Sequence, residues 1–311
     1  MTRRFHIQPV EDARRSQGLR VLLAGAADRS GVPAHVDAFD AAVGRGGRRT
    51  HLWWALDQDT PVAAAMTVIS PGRSALLYYS PPAARGVRPD ALSAVIAAIS
   101  HHTLACGAVF VQGMTNKPQD GRLLVEAGYH PLAELASMQL DLPTPPADAL
   151  PCQHRLRWRC VDQLARGELQ RIVTATYEGS LDCPGLIGLR SADDVVAGHR
   201  ASGTFVPQTW WVVDDGAETA GCCLLNDSTL DASARVVYLG VVPSCRGRQI
   251  GRAMTRHAAH VSERRGRHAL TLAVDERNTY ARDAYVREGF RVTESRTAYI
   301  LAADRSEKQA T

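Results

Sequence analysis

A gapless internal repeat at an offset of 161 residues constrains this chain more than any other feature. Three pairs of anchors define it: Pro82 and Pro243, Arg85-Gly86 and Arg246-Gly247, and Gly128-Tyr129 and Gly289-Phe290. Matching helix and strand patterns lie between these anchors in both copies. We therefore expect two similar domains. Positions where the copies differ should distinguish residues with a catalytic or binding role from residues that only support the fold.

Composition is ordinary for a soluble globular protein, with 45% hydrophobic and 22% charged residues, and 311 residues predict about two domains. The net charge of +4 does not indicate nucleic-acid binding, because 32 acidic residues nearly balance 36 basic ones and no block of like charge occurs. The longest apolar runs are too short for a membrane span.

Seven cysteines, an odd number without metal-ligand spacing, favour a reduced cytoplasmic protein with no metal. Residues 143–150 contain the strongly proline-rich stretch of the chain and are predicted to be a linker. The predicted domains are thus 1–142 and 151–311. Hydrophobic periodicity predicts one or two helices within residues 1–50 and then the same order of strands and helices in both copies.

Residues 238–253 have the pattern of a strand, a turn rich in arginine and glycine, and a helix start. The unpaired N–H groups and the positive dipole end of a helix start can bind phosphate. Arg246, Arg248 and Arg252 can add charge-assisted contacts. The pattern also fits a plain strand–helix connection with solvated arginines.

A second motif occupies residues 278–290, after the next predicted strand. Its spacing places Asn278, Ala281 and Tyr285 on one helix face, and Gly289 ends that helix. A tyrosine on such a face can donate a proton, or it can simply pack beneath the helix.

Together the two motifs resemble those of the GNAT superfamily of acyl-CoA-dependent N-acyltransferases, over residues 160–302. That family has an R-x-x-G-x-G/A turn after its fourth strand and an N-x-x-A-x-x-x-Y-x-x-x-G-F stretch on its last helix. The resemblance implies an α/β (α+β) fold with two tandem GNAT-like domains. Each domain would have a mixed, mostly antiparallel central sheet flanked by helices.

The resemblance also implies a site for acetyl-CoA or another acyl-CoA in the second copy. Tyr285 would be the general acid that protonates the leaving thiolate. Gln249 departs from the glycine usual at its position. The implied cofactor-binding residues are Leu239 and Val241 beside the pantetheine arm, and Arg246, Gly247, Arg248, Gln249, Ile250, Gly251, Arg252 and Asn278 around the pyrophosphate turn.

The first copy is predicted to be non-catalytic, because it differs at each of these features. Asp90 stands at the position of Gly251, Leu124 at that of Tyr285, and Lys117 at that of Asn278. A carboxylate at the phosphate-facing position would repel a pyrophosphate. The repeat therefore predicts one acyl-CoA site per chain, in the second copy.

The acceptor pocket is expected within residues 177–188, where the family walls its amine site. Glu178 or Asp182 can hold or deprotonate an ammonium group, although helix capping explains these residues equally well. His199 fits a surface position better than a catalytic base. Cys183 lacks a partnered histidine pattern and is not expected to be a nucleophile.

The predicted function is acetyl transfer from acetyl-CoA to a primary amine of a small molecule, by direct attack in a ternary complex. The alternative is an acyl-CoA-sensing or scaffolding protein without turnover. Peptide or protein amino groups are another acceptor class. A mycothiol-synthase-like activity is a lesser alternative, because Arg235 stands where that enzyme has a glutamate base. The sequence gives no indication of oligomeric state.

Overall fold

The computed structural model describes residues 5–24, 32–44, 48–144, 148 and 150–303. The chain forms two compact units. Unit 1 comprises Met1–Leu132 and Arg296–Thr311, and unit 2 comprises Ala133–Ser295.

Unit 1 contains a mixed sheet in the strand order β1-β2-β3-β4-β5-β12, in which β4 and β5 are parallel and the other neighbours antiparallel. Its elements are β1 (His6–Pro9), α1 (Arg15–Leu22), α2 (Val32–Val43), β2 (Arg49–Asp57), β3 (Thr60–Ile69), β4 (Ser74–Tyr79), α3 (Pro89–Ala105), β5 (Phe110–Thr115) and α4 (Pro118–Glu126), and then β6 (His130–Asp141), which continues into unit 2.

Unit 2 repeats this arrangement in the order β7-β8-β9-β10-β11-β6, with β10 and β11 parallel. Its elements are β7 (Leu156–Cys160), α5 (Glu168–Tyr177), α6 (Ala192–Arg200), β8 (Thr204–Asp215), β9 (Glu218–Asp227), β10 (Ser233–Val241), α7 (Ile250–Arg264), β11 (Ala269–Asp275) and α8 (Thr279–Arg287), and then β12 (Arg291–Ala302), which continues into unit 1. The predicted fold class, a mostly antiparallel sheet flanked by helices, is confirmed.

The two copies exchange their last strands, which the sequence did not predict. Residues 135–141 of β6 pair with β11 of unit 2, and residues 297–302 of β12 pair with β5 of unit 1. The structural units therefore do not follow the sequential domains 1–142 and 151–311. The physical reason is that each closing strand finds its backbone partners in the other copy. Within the predicted linker, residues 145–147 and 149 lie outside the described residues.

Each sheet is covered on both faces, as the paired tryptophans illustrate. Successive strand residues point to opposite faces. Trp210 accordingly packs with α5 and α6, while Trp211 packs with α7. Trp54 lies with α1 and α2, and Trp53 packs on the α3 side. The correspondence of the two tryptophan pairs in the sequence thus reflects the same three layers in both units.

The second copy has the predicted order of strands and helices, and the first fifty residues differ most from the prediction. The predicted helices there are present as α1 and α2, but a strand, β1, precedes them. β7 was missed in the same way. Both are short strands of four and five residues. Residues 45–47, between α2 and β2, lie outside the described residues.

None of the helices in the described ranges combines the length and apolar character that crossing a membrane requires.

The strand exchange predicts that the chain cannot be cut at the linker. A fragment of residues 147–311 lacks β6, and so exposes the edge of β11 along seven residue pairs. We expect this fragment to aggregate or to be inactive. A fragment of residues 130–311 retains β6 and should be more soluble, as measured by size-exclusion chromatography. Full activity of the 147–311 fragment would contradict the role of the exchanged strand.

His257 makes the stability of unit 2 depend on pH. Its ring stacks on Trp158, with centroids 3.8 Å apart, and meets the edge of Trp211. Burial, with a smaller contribution from His260, lowers the pKa of His257 from 6.5 to about 4. Between these values the unfolded chain binds the proton and the folded chain does not. The free energy of unfolding should therefore fall as the pH drops from 6.5 to 4.

A phenylalanine keeps the stacking but cannot titrate, so His257→Phe should reduce this loss of stability. Urea unfolding at several pH values measures it, and the exposed His154→Gln serves as the control. An unchanged pH dependence in His257→Phe would show that other groups cause the acid sensitivity.

Candidate active site

Strands β10 and β11 separate after a short paired stretch, which opens a cleft in the sheet of unit 2. Their parallel pairing covers Ser233–Arg235 and Ala269–Thr271 in the described structure. On its other side, β10 remains paired with β9 as far as Val241, across a bulge between Val236 and Tyr238. The side of β10 that faces β11 is thus left open along Leu239 and Val241, the residues predicted to lie beside a pantetheine arm.

The predicted pyrophosphate turn joins β10 to α7 at the mouth of this cleft. Gly247 has a φ of 78°, and a β-carbon there would meet no atom within 4 Å. The first i to i−4 bond of α7 runs from Ala253 N to Gln249 O, at 3.1 Å. The N–H groups of residues 250–252 therefore have no carbonyl of a preceding turn to bind and are suited to an anion.

Gln249 immediately precedes α7 in the left-handed conformation, with φ 62° and ψ 12°. This region favours glycine, because a β-carbon crowds the neighbouring carbonyl oxygen there. The left-handed conformation explains why glycine is usual at this position in the family. Gln249 adopts the same backbone conformation at some conformational cost.

The three arginines of the turn are engaged within the protein. Arg246 donates to the carbonyls of Thr176, Glu178 and Gly179 at the end of α5. Arg248 Nη2 donates to Ser244 O at 2.7 Å, and Arg252 Nε donates to Glu288 at 2.7 Å. Their first role is therefore to hold the turn against α5 and α8. The backbone N–H groups, rather than the side chains, offer the anion site.

The corresponding helix start in unit 1 is occupied by its own carboxylate. Partial burial opposes ionisation of Asp90, but hydrogen bonds from Arg88 and from the N–H groups of Ala91 and Asp90 outweigh it and lower the pKa of Asp90. Gly251 leaves this place free in unit 2. A β-carbon on Gly251 would lie 3.8 Å from Val241 and 4.0 Å from Leu239, which are ordinary contacts.

Tyr285 lies on α8 and is 8% exposed, within the same core cluster against which Leu239 and Val241 pack. Burial first, then the charges of Asp182 and Cys223, raise the pKa of Tyr285. The hydroxyl therefore keeps its proton at neutral pH. Asn278 caps this helix, since its Oδ1 accepts from Ala281 N at 3.3 Å. The cap explains Asn278 in the described structure without a ligand contact.

Asp182 and Asp275 form a carboxyl pair at the end of β11. Asp182 accepts from Asp275 N at 2.9 Å, and Asp275 accepts from Cys183 N at 3.2 Å. Burial opposes ionisation of Asp275, but Arg277 and backbone donors outweigh it and lower its pKa. Asp182 is a solvent-accessible residue whose carboxyl group is nonetheless crowded by protein atoms. This crowding, together with the charge of Asp275, raises the pKa of Asp182.

The charge of Asp182 reaches Tyr285 and contributes to its raised pKa, whereas Glu178 is not among the groups that act on Tyr285. Glu178 is exposed and contributes its carbonyl oxygen, which accepts from Arg246 at 2.6 Å. His199 is not the surface residue that the sequence suggested. It packs against Tyr238, with centroids 5.2 Å apart, and burial followed by the charge of Arg190 lowers its pKa to about 4.

Two residues of this site were missed in the sequence, Asp275 and Tyr238. Tyr238 shares a hydrogen bond of 2.6 Å with Thr176 of α5. The repeat carried the signal for both, because the matching residues of the first copy are the apolar Met114 and Leu77.

A cavity of about 950 Å³ lies elsewhere in unit 2, lined by Trp158, Arg256, His257 and Arg287 among others. It does not include the turn, Asp182 or Tyr285. We assign it no part in the chemistry.

An open parallel strand pair, a helix start with free N–H groups and a buried tyrosine lie within unit 2, an arrangement consistent with the resemblance of the two motifs to the GNAT superfamily. In agreement, residues 174–290 match the Acetyltransferase (GNAT) family. The match to the GNAT family thus covers residues 174–290, which lie within unit 2.

A curated relative is the mycothiol acetyltransferase of Beutenbergia cavernae, which is 36% identical over 87 residues. The match covers 28% of this chain and spans only 29% of that enzyme's length.

Two solved structures share the fold along almost the whole chain. A GCN5-related N-acetyltransferase from Sphaerobacter thermophilus has a TM-score of 0.56 at 17% identity, covering 96% of this chain and 95% of its own. A tandem GNAT protein from the clavulanic acid biosynthesis pathway has a TM-score of 0.55 at 13% identity, covering 97% and 99%. At these identities the likeness concerns the fold, including its tandem form.

The contrast between Gly251 and Asp90 predicts one acyl-CoA per chain. Gly251→Asp should abolish binding of acetyl-CoA, because it places a carboxylate at the free helix start, as in unit 1. Gly251→Ala adds a β-carbon without charge and should retain most of the affinity. Isothermal titration calorimetry measures both variants against the wild type. A stoichiometry near two, or unchanged binding by Gly251→Asp, would contradict this assignment.

Proposed function

We propose that this protein transfers an acetyl group from acetyl-CoA to the primary amine of a small molecule, with unit 2 as the catalytic unit. The observation that carries the proposal is the open side of β10 next to a helix start with free N–H groups, with Tyr285 in the core cluster against which Leu239 and Val241 pack. Tyr285 there holds a proton, and Asp182 is a carboxyl group that can bind an ammonium. Acetyl-CoA supplies a thioester carbonyl as acyl donor and a thiol as leaving group.

The residues around the cleft suit each part of acetyl-CoA. The N–H groups of residues 250–252 would bind its pyrophosphate, and Gly247 and Gly251 leave room for the oxygens. The open side of β10 at Leu239 and Val241 would pair with the pantetheine arm. Arg246, Arg248 and Arg252 hold the turn in place through their bonds to neighbouring carbonyls and to Glu288.

Tyr285 is suited to act as the general acid. Burial keeps the phenol protonated at neutral pH, so a proton is available to the leaving thiolate, and the raised pKa also makes it a weaker acid than free tyrosine. Asp182 is suited to the acceptor side. Its raised pKa makes it a better base than an ordinary aspartate, and it can hold the ammonium and take a proton from it. Asp275, paired with Arg277 at 2.8 Å, holds the loop of Asp182 in place.

The acceptor itself is proposed only as an amine of a small molecule. The carboxyl pair favours a cationic group, and peptide or protein amino groups carry the same chemistry. A mycothiol-synthase-like acceptor has support from the relative in Beutenbergia cavernae. Against it, Arg235 is an exposed residue at the position of the expected glutamate.

Binding of acyl-CoA without turnover is the second candidate, and Gln249 favours it. The left-handed Gln249 places a long side chain beside the helix start, where the family pattern has glycine. Release of free CoA from acetyl-CoA with a mixed panel of primary amines distinguishes the two functions. Amine-dependent release supports the transferase, whereas tight binding without release supports the sensor.

Substitution of Tyr285 should affect turnover rather than binding. Tyr285→Phe keeps the ring, which packs on Phe290 with centroids 5.6 Å apart, and removes the proton. General acid–base groups contribute about 10²–10⁴-fold, so we expect kcat to fall at least about tenfold with little change in affinity for acetyl-CoA. Steady-state kinetics and calorimetry measure the two effects.

Tyr280→Phe is the matched control, because Tyr280 lies on the same helix and is 82% exposed. It should behave as the wild type. A folded Tyr285→Phe protein with unchanged kcat would remove Tyr285 from the mechanism and leave water or the acceptor to protonate the sulfur.

A further inference from the structure

Unit 1 contains a cluster of three soft or borderline ligands that the acyl-transfer chemistry does not use. His51 lies on β2, His102 on the last turn of α3, and Cys106 directly after that helix. One donor atom from each of the three side chains lies within 4.8 Å of the others. All three residues are partly buried. The sequence predicted no metal, because His51 is far along the chain from His102 and Cys106, and the spacing of that pair alone does not indicate a metal site.

The helix places two of the three donors in register. Residues four apart lie on one face of a helix, so His102 and Cys106 point the same way. His102 Nε2 and Cys106 Sγ are 3.5 Å apart. Two such ligands on one tetrahedral zinc ion would be about 3.6 Å apart, given Zn–N and Zn–S bonds of about 2.05 and 2.3 Å. The separation therefore already suits a shared ion.

The third donor belongs to the imidazole ring of His51. Among the residues that the structure describes, Nε2 of His51 is buried and has no hydrogen-bond partner. An unsatisfied buried nitrogen is costly. The His51 ring meets the edge of the His102 ring, with centroids 4.7 Å apart. A ligand between the two rings and the thiol would satisfy this nitrogen.

The second copy does not have this cluster. The residues matching His102 and Cys106 are Glu263 and Arg267. At that end of α7, Arg265 and Arg267 donate to Asp227, each at 2.8 Å to Oδ2. Unit 2 therefore fastens this helix end to its sheet with ion pairs, and unit 1 has two imidazoles and a thiol there. The fold itself does not require the cluster.

We propose that His51, His102 and the thiolate of Cys106 bind one zinc ion, with solvent as the fourth ligand, and that the ion ties β2 to the end of α3. Two nitrogens and a sulfur favour zinc over magnesium or calcium, which prefer oxygen. Arg49 and Arg73 donate to the carbonyls of Cys106 and Gly107, at 3.2 and 3.1 Å, and fix the chain that carries the thiol. Binding replaces the thiol proton, which is released to solvent.

Zinc binding is tested on the full-length, tag-free protein after treatment with a chelator. Equilibrium dialysis against zinc chloride with elemental analysis should give about one zinc per chain. Cobalt(II) should give a thiolate-to-metal charge-transfer band. Loss of a ligand should exceed the 10–100-fold effect typical of residues that only support ligands. We therefore expect Cys106→Ser and His51→Gln each to weaken zinc binding by more than about 100-fold and to abolish the band.

The controls are His101→Ala, an exposed histidine beside the cluster on α3, and Cys160→Ser in unit 2; both should bind zinc as the wild type does. Circular dichroism of the metal-free proteins identifies any variant that does not fold. If one of the two ligand variants does not fold, zinc binding by the other variant tests the proposal. Absence of stoichiometric zinc in the wild type would overturn the proposal. Undiminished binding by a folded Cys106→Ser or His51→Gln protein would do the same.

Discussion

The early end of the pairing between two parallel strands is the constraint on which the functional architecture depends. In each unit, the parallel pair is joined along only three residues of each strand, Ser74–Leu76 with Phe110–Gln112 and Ser233–Arg235 with Ala269–Thr271. Backbone groups beyond this point need partners, and the space between the strands must be filled. How each unit fills that space determines what the unit does.

Unit 1 fills the space with its own side chains. Leu124 is fully buried, and a β-carbon on Gly113 would lie 3.1 Å from Leu124 and 3.6 Å from Leu77. In addition, Asp90 occupies its helix start. Unit 2 has the polar Tyr285 at the position of Leu124, and Gly251 at that of Asp90. One cleft thus became core, while the other kept open backbone, free N–H groups and a proton donor, as our proposal of a single catalytic unit requires.

The sequence predicted the fold well because the repeat records it twice, and each copy supports the interpretation of the other. It did not predict which copy each closing strand pairs with, since the alternating pattern of β6 and β12 suits either sheet. The turn and Tyr285 were found from their motifs. The partners of Arg246, the pairing of Asp182 with Asp275 and the His51 cluster were not found, because they depend on contacts between residues far apart in the chain.

Hydrogen–deuterium exchange with and without acetyl-CoA tests the central claim most directly. If the free helix start of unit 2 is the only nucleotide-binding turn, acetyl-CoA should slow exchange in peptides covering residues 239–252. The matching peptides of unit 1, residues 78–91, should not change. Protection of both turns, or of neither at saturating acetyl-CoA, would contradict the division of the two copies into a filled scaffold and an open catalytic cleft.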